Sequence, residues 1–257
     1  MPIYLIIGAG GFIGSALCKK LLDKNYFIHA FDIDVEKLDR LKRSVISDRL
    51  TTKQIDVSVE NSLKDALLEL QESNTFFDGI AFCTGIDSKV TEIHENSQFT
   101  KPENTLIENW NNEILHGLTN IFLIFKHFSP IIAQNGSLVL VSSDLSVISP
   151  DHRLYNDDEL IYFKPISYSV VKTALVGLTK YLANYLAPRK IRVNAISPGG
   201  IENNQNQIFQ KKLAKLIPMG RMAEINEITS VISFLLSPES SYITGQNIIC
   251  DGGRSII

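Results

Sequence analysis

The chain has 257 residues, a formal net charge of −3 and a hydrophobic fraction of 44%, enough apolar material for one large α/β core and ordinary for a soluble protein. The charge is spread without a basic patch or run, so neither nucleic acid nor an anionic membrane is an expected partner and the expected ligand is a small molecule. Cys18, Cys83 and Cys250 are scattered, odd in number and without metal-ligand spacing, so no metal and no disulfide framework are expected and a cytoplasmic, reducing compartment fits.

The first apolar run, residues 3–7, is too short to span a membrane and lacks the basic start of a signal peptide. Six further short runs rich in Ile, Val, Leu or Phe follow at 27–31, 51–55, 79–83, 137–142, 192–196 and 247–250, each reading as a buried strand. Between them, amphipathic stretches predict helices over 12–24, 35–43, 61–72, 107–132, 166–186, 204–216 and 225–236, with Pro188, Pro198 and Pro218 punctuating the later ones. No linker or repeat divides the chain. This order predicts a single Rossmann-like, doubly wound α/β domain over residues 1–257, with a seven-stranded parallel sheet flanked by helices. Such sheets bind ligands beyond the carboxyl ends of their strands.

Gly8, Gly10, Gly11, Phe12, Ile13 and Gly14 lie between the first predicted strand and helix, where glycines permit a tight turn and close approach of backbone to a pyrophosphate. Asp32 ends the second strand, 18 residues after Gly14, near the spacing at which a carboxylate takes a ribose 2′-hydroxyl. That carboxylate would repel a 2′-phosphate, and neither the glycine loop nor Ile33 supplies a cation, so NAD is favoured over NADP; an ordinary loop carboxylate is the alternative. The third strand runs into Asp56 and Val57, where Asp56 either meets the adenine amine or serves as a turn acid before the next helix. The fourth runs into Cys83, Thr84 and Gly85, and Gly85 would let backbone approach the adenosine ribose.

Ser142 and Ser143 close the fifth strand, and one of these hydroxyls would hold a substrate oxygen. Tyr168 and Lys172 follow on a long helix, four residues apart and hence on one face. A nearby ammonium favours phenolate over phenol, so Lys172 pulls the tyrosine down from about 10 toward a working pH and makes it a candidate acid or base.

With Asn194, Pro198, Gly199 and the closing Asp251-Gly252-Gly253, these motifs resemble the short-chain dehydrogenase/reductase family, in its compact subtype, over essentially the whole chain. The resemblance implies hydride transfer with Ser143, Tyr168 and Lys172 as catalytic residues. Ser143 would hydrogen-bond the substrate carbonyl, Tyr168 would act as acid/base, and Lys172 would bind the nicotinamide ribose. Pro198, Gly199 and Ile201 look like the family's nicotinamide-side loop, and Asn194 is assigned a structural part. A homotetramer or homodimer is implied as well, with helices 107–132 and 166–186 able to pair across a two-fold axis.

Three departures stand out. The glycine spacing Gly8, Gly11, Gly14 is closer to the epimerase-like subtype. Phe82-Cys83-Thr84-Gly85 keeps only the glycine of the family's Asn-Asn-Ala-Gly motif. The family's proton-relaying Asn falls at Gly117, flanked by His116 and Asn120. In addition, Ser143 and Tyr168 are 25 residues apart, about twice the family's separation, and the extra segment at about 146–165 carries Tyr155, Tyr162, Asp151, His152, Arg153 and Lys164. This insertion either borders a hydroxylated or phosphorylated ligand or is a solvated excursion. It is similar to reductases of bacterial surface-sugar and flagellin-modification pathways. The expected reaction therefore interconverts a secondary alcohol and a ketone on a sugar, sugar phosphate or nucleotide sugar. A 3-oxoacyl-thioester reductase and a catalytically inactive nicotinamide-binding regulator are the alternatives.

Overall fold

The computed structural model of the protein describes residues 1–85, 101–155 and 162–257. Seven strands, β1 (Ile3–Ile7), β2 (Phe27–Asp32), β3 (Leu50–Gln54), β4 (Phe77–Phe82), β5 (Ile132–Val141), β6 (Arg192–Pro198) and β7 (Asn247–Cys250), form one sheet in the order β3-β2-β1-β4-β5-β6-β7. Every pairing is parallel. The order reverses between β1 and β4, and this switch point opens the crevice in which a doubly wound sheet takes its ligand.

Alternation along β1 divides the core. Leu5 and Ile7 face one side with Phe31, Phe82, Leu140 and Leu175, whereas Tyr4 and Ile6 face the other with Leu17, Leu21, Val139 and Ile232. Helices α1 (Phe12–Asp23), α2 (Val35–Ser44) and α8 (Ile225–Leu236) cover the second face. Helices α3 (Glu60–Glu72), α5 (Asn120–Phe128) and α6 (Ile166–Leu186) cover the first. Among the described residues no helix is long and apolar enough to cross a membrane.

Two helices depart from their predicted extents. The stretch expected as one helix over 107–132 is α4 (Ile107–Ile114), a π-helical segment at Leu115–Thr119 and α5, followed by a 3-10 turn at Ser129–Ile131. Gly117 lies inside the π segment, where a Cβ would come within 2.5 Å of Val171 Cγ1, so its missing side chain lets α6 pack closely there. Pro130 stops the helix because it has no N–H to continue the ladder. The helix expected over 204–216 is the shorter α7 (Gln207–Ala214), started by Asn206, whose side chain accepts from Ile208 N–H at 2.7 Å.

Arg192, at the start of β6, is buried and closes the far end of α8. It donates to Leu235 O at 2.9 Å, Ser237 O at 2.9 Å and Ser240 Oγ at 2.6 Å. Replacing Arg192 with Met would leave these acceptors without their donor, and urea unfolding is expected to show a loss of about 2–4 kcal/mol. An unchanged midpoint and slope would refute that role for Arg192.

Candidate active site

At the end of β1 the chain turns at Gly8, with φ 78°, while the N–H groups of Gly8 and Ala9 both donate to Phe31 O, at 2.8 and 3.0 Å. A Cβ on Gly8 would lie 2.8 Å from the Cys83 carbonyl, and one on Gly14 would lie 2.1 Å from Gly8 O. Side chains are excluded at both points, so α1 begins hard against the turn. Gly11 is its N-cap and contributes no side chain, and the first turn, with Phe12 and Ile13, carries no acid. The positive end of α1 is therefore left for an external anion.

Asp32 is organised by the same loop. Its Oδ2 accepts from Gly10 N–H at 2.8 Å and its Oδ1 from Asp34 N–H at 3.0 Å, which orients the carboxylate at the end of β2. Ile33 beside it is exposed. Asp56 Oδ1 accepts from both Ser58 N–H at 2.9 Å and Ser58 Oγ at 2.6 Å in the turn just before α3, while Val57 packs against the core. At the end of β4, burial pushes the Cys83 thiol up to about 12 although Lys172 pulls the other way, so it stays protonated. Thr84 Oγ1 is buried without a hydrogen-bond partner, and Gly85 leaves space beside Lys172. Glycine turn, helix end, oriented carboxylate and orphaned hydroxyl fit a dinucleotide laid across the switch point.

The catalytic candidates lie directly after β5 and in the first two turns of α6. Ser142 Oγ donates to Lys172 O at 2.7 Å, and Lys172 Nζ returns a bond to Val141 O at 3.1 Å. The strand end thus grips the helix at Lys172 itself. That ammonium lies 5.5 Å from the centroid of the Tyr168 ring, on the same helix face, and 3.4 Å from where a Cβ on Gly85 would be. Ser143, at the next position, is buried; its hydroxyl donates to Asp144 Oδ1 at 3.1 Å and accepts from Leu145 N–H at 3.2 Å. On the β6 side, Gly199 N–H bonds Cys250 O at 2.9 Å directly after Pro198, and Ile201 forms an isolated bridge with Ala223. Asn194 is wholly buried and fastens the β7 approach, donating to Ile243 O and accepting from Gln246 N–H.

Three features escaped the sequence reading. The first is Glu113, buried on α4, which with Gly85, Gly117, Tyr168, Val171 and Lys172 lines a cavity of about 10 Å³, the size of one water molecule. It precedes Gly117 by one helical turn and brings a carboxylate to the space where the resemblance expected an amide. The flanking His116 and Asn120 are instead 3.4 Å from each other (Nδ1 to Nδ2). The second is Arg254, whose Nη1 lies 2.8 Å from Asp144 Oδ2, with both side chains buried. It ties the chain beyond β7 to the neighbour of Ser143, and burial still holds the Asp144 carboxyl above its ordinary range.

The third is the ordering of the inserted segment, of which residues 156–161 lie outside those described. Tyr155 packs on Phe209 with ring centroids 5.8 Å apart, in a small cluster with Leu154, Leu213, Ile217 and Met222. His152 sits edge-on to Phe163 at 5.0 Å, and Asp151 pairs with exposed Arg153. These parts pack rather than wander through solvent. Lys164 is buried, its Nζ 4.1 Å from the Tyr168 ring centroid and nearer than Lys172.

A family model described as enoyl-(acyl carrier protein) reductase matches residues 8–255. The chain is 29% identical to the post-translational flagellin modification protein A of Campylobacter coli, covering 98% of this chain and 97% of that one. It is 30% identical to the 3-oxoacyl-(acyl-carrier-protein) reductase of Thermotoga maritima, covering 99% and 98%. A short chain dehydrogenase of Leptospira borgpetersenii, solved with bound NAD+, superposes with a TM-score of 0.84 at 30% identity, covering 99% of this chain and 92% of its own.

Removing Arg254 leaves the Asp144 carboxylate buried without its cation. The Arg254→Ala change is expected to cost about 3–5 kcal/mol at pH 8. An acid whose folded pKa lies above its unfolded value destabilises the fold increasingly as pH rises between the two, and losing Arg254 raises the folded value further. The deficit relative to the parent protein should thus be smaller at pH 5 than at pH 8 in urea titrations; equal deficits would contradict it.

Proposed function

The chain belongs to the short-chain dehydrogenase/reductase family, and from that premise we propose that it uses NAD to interconvert a secondary alcohol and a ketone on a sugar, sugar phosphate or nucleotide sugar. The observation that carries this reading is the Tyr168–Lys172 face gripped by the end of β5 beside Ser143, at the mouth of the glycine cradle.

In the oxidative direction, Tyr168 as phenolate takes the hydroxyl proton of the alcohol while hydride leaves the carbinol carbon; in reduction the phenol returns the proton to the oxygen. The bound nicotinamide supplies the hydride acceptor or donor. Ser143 exchanges its Asp144 acceptor for the substrate oxygen and meets the charge that develops there. Lys172 holds positive charge near the phenol and reaches toward the nicotinamide ribose. The glycine turn and the start of α1, with Phe12 and Ile13, receive the pyrophosphate.

Preference for NAD rests on Asp32, whose oriented carboxylate suits a ribose 2′-hydroxyl and opposes a 2′-phosphate. The NAD+ bound by the Leptospira relative agrees with it. The sugar class rests on the polar insertion beside Tyr168 and on the resemblance to reductases of surface-sugar and flagellin-modification pathways, the Campylobacter coli relative being named for flagellin modification. The Thermotoga maritima relative, at similar identity, supports a second reading as a 3-oxoacyl-thioester reductase.

Nicotinamide absorbance during incubation with sugar phosphates, nucleotide sugars and 3-oxoacyl thioesters separates these readings. NAD(H)-linked turnover of a sugar class, reduced about 10²–10⁴-fold by Tyr168→Phe, is the expected result. Thioester reduction alone would select the second reading, and tight NADH binding without turnover would favour a binding role. Asp32→Ser is expected to lower the ratio of kcat/KM for NAD to that for NADP by about tenfold or more, equivalent to roughly 1.4 kcal/mol. An unmoved ratio would remove Asp32 as the determinant.

A further inference from the structure

We propose that Lys164 is a positioning residue that sets the acidity of Tyr168, a second cation brought to the phenol by the inserted segment. This rests on the reading of Tyr168 as the acid/base, but the ionisation of the phenol can be measured without any turnover.

Lysine is among the residues least often buried, yet Lys164 is only 9% exposed, and its ammonium lies 4.1 Å from the centroid of the Tyr168 ring. That is well inside the distance, about 6 Å, at which a cation is attracted to an aromatic face. The placement follows from the backbone. Pro165 is the N-cap of α6, with φ −52° and ψ 132°, and its carbonyl accepts from Tyr168 N–H at 3.2 Å. The proline ring fixes its own φ and restricts the residue before it to extended conformations, so Lys164 enters the helix start from a defined direction. Lys164, Tyr168 and Lys172 stand at four-residue intervals in the sequence, and both ammonium groups lie within 5.5 Å of the ring centroid.

Lys172 already serves two other partners through its side chain and backbone, as donor to Val141 O and acceptor from Ser142, and its ammonium is held at 5.5 Å. Lys164 is the closer charge. Ionisation adds a full negative charge to a ring whose face already attracts cations, so the attraction to Lys164 is stronger for phenolate than for phenol. An opposite charge within about 4–6 Å lowers the pKa of an acid by roughly one to three units. Among the described residues, the other charged groups on elements around the ring are Glu113 of α4, which lines the small cavity and whose charge would oppose ionisation, and Asp144, paired with Arg254, on the turn against α6. Lys164 thus brings a second ammonium to the phenol, on the side of the helix start, while Glu113 brings a carboxylate to the space beside Gly117.

The test is an ultraviolet titration of the phenol in the full-length protein. Subtracting the Tyr168→Phe spectrum isolates Tyr168 from the other tyrosines, of the eight in the chain. Lys164→Met is expected to raise the midpoint by about one unit, a tenfold fall in the acid dissociation constant, and Lys164→Arg to restore it. Lys164→Gln gives the same reading should the Met variant fail to fold. With a substrate in hand, the ionisation seen in kcat/KM against pH should move upward by the same amount, which a purely structural loss would not produce. A Tyr168 midpoint unmoved in folded Lys164→Met or Lys164→Gln overturns the proposal. Turnover surviving in Tyr168→Phe would instead overturn the acid/base reading, leaving the titration to decide the electrostatic claim.

Discussion

The site depends on the reciprocal grip between the end of β5 and the second turn of α6. Ser142 holds the Lys172 carbonyl, and the Lys172 side chain holds the Val141 carbonyl. Two bonds in opposite directions fix both the height of the helix along the sheet and its rotation about its own axis. Tyr168, one turn earlier, inherits both constraints, and so does Lys164 through the capping Pro165. Because the bonds are buried and one donor is charged, they act in a medium where such contacts are stronger than in water. The helix could keep its apolar packing and still place its tyrosine wrongly without them.

The cofactor cradle is built by a different principle, the removal of atoms. Gly8 and Gly14 bring turn, helix and neighbouring strand within distances that any side chain would violate, and Gly10 admits the Asp32 carboxylate to its N–H. Gly117 applies the same device to the helix pair α4 and α6, where the vacated volume is shared between Val171 and the small cavity beside Glu113. Among the described residues, Glu113 brings a carboxylate to the cavity beside the lysine from one turn before Gly117, and Lys164 brings a second ammonium to the same tyrosine.

Much of this was legible in the residues alone because it is local. The strands at 3–7 and 247–250 and the helices at 166–186 and 225–236 match their predicted extents, since uninterrupted apolar periodicity and a proline or glycine boundary mark them. Asp32 and the Tyr168–Lys172 step were readable for the same reason. The interruption of the predicted helix at 107–132 was not, because a π segment is a response to what Gly117 packs against on α6. Glu113 was hidden among solvent-facing polar neighbours, and only the helix's orientation reveals it as buried. Lys164 carried a signal that went unused: it repeats, on the other side of Tyr168, the four-residue step to Lys172. Asp144 and Arg254 are 110 residues apart, a separation at which no periodicity reports contact.

That last contact joins the two ends of the site in time as well as space. The glycine turn, Asp32 and Gly85 all lie within the first 85 residues, whereas the surroundings of Ser143 are complete only when the segment following β7 has docked on Asp144. Long-range contacts of this kind form late in folding, after the loop closure they require. Among the described residues β7 is also an edge strand, of four residues, paired with β6 alone. Fraying at that edge loosens Arg254 and, through Asp144, the serine, and releases Gly199 from Cys250, while the glycine turn and Asp32 at the opposite half of the sheet stay intact. On heating, the protein should accordingly lose its chemistry before it loses its hold on the adenosine end of the dinucleotide, passing through a state that binds and does not react.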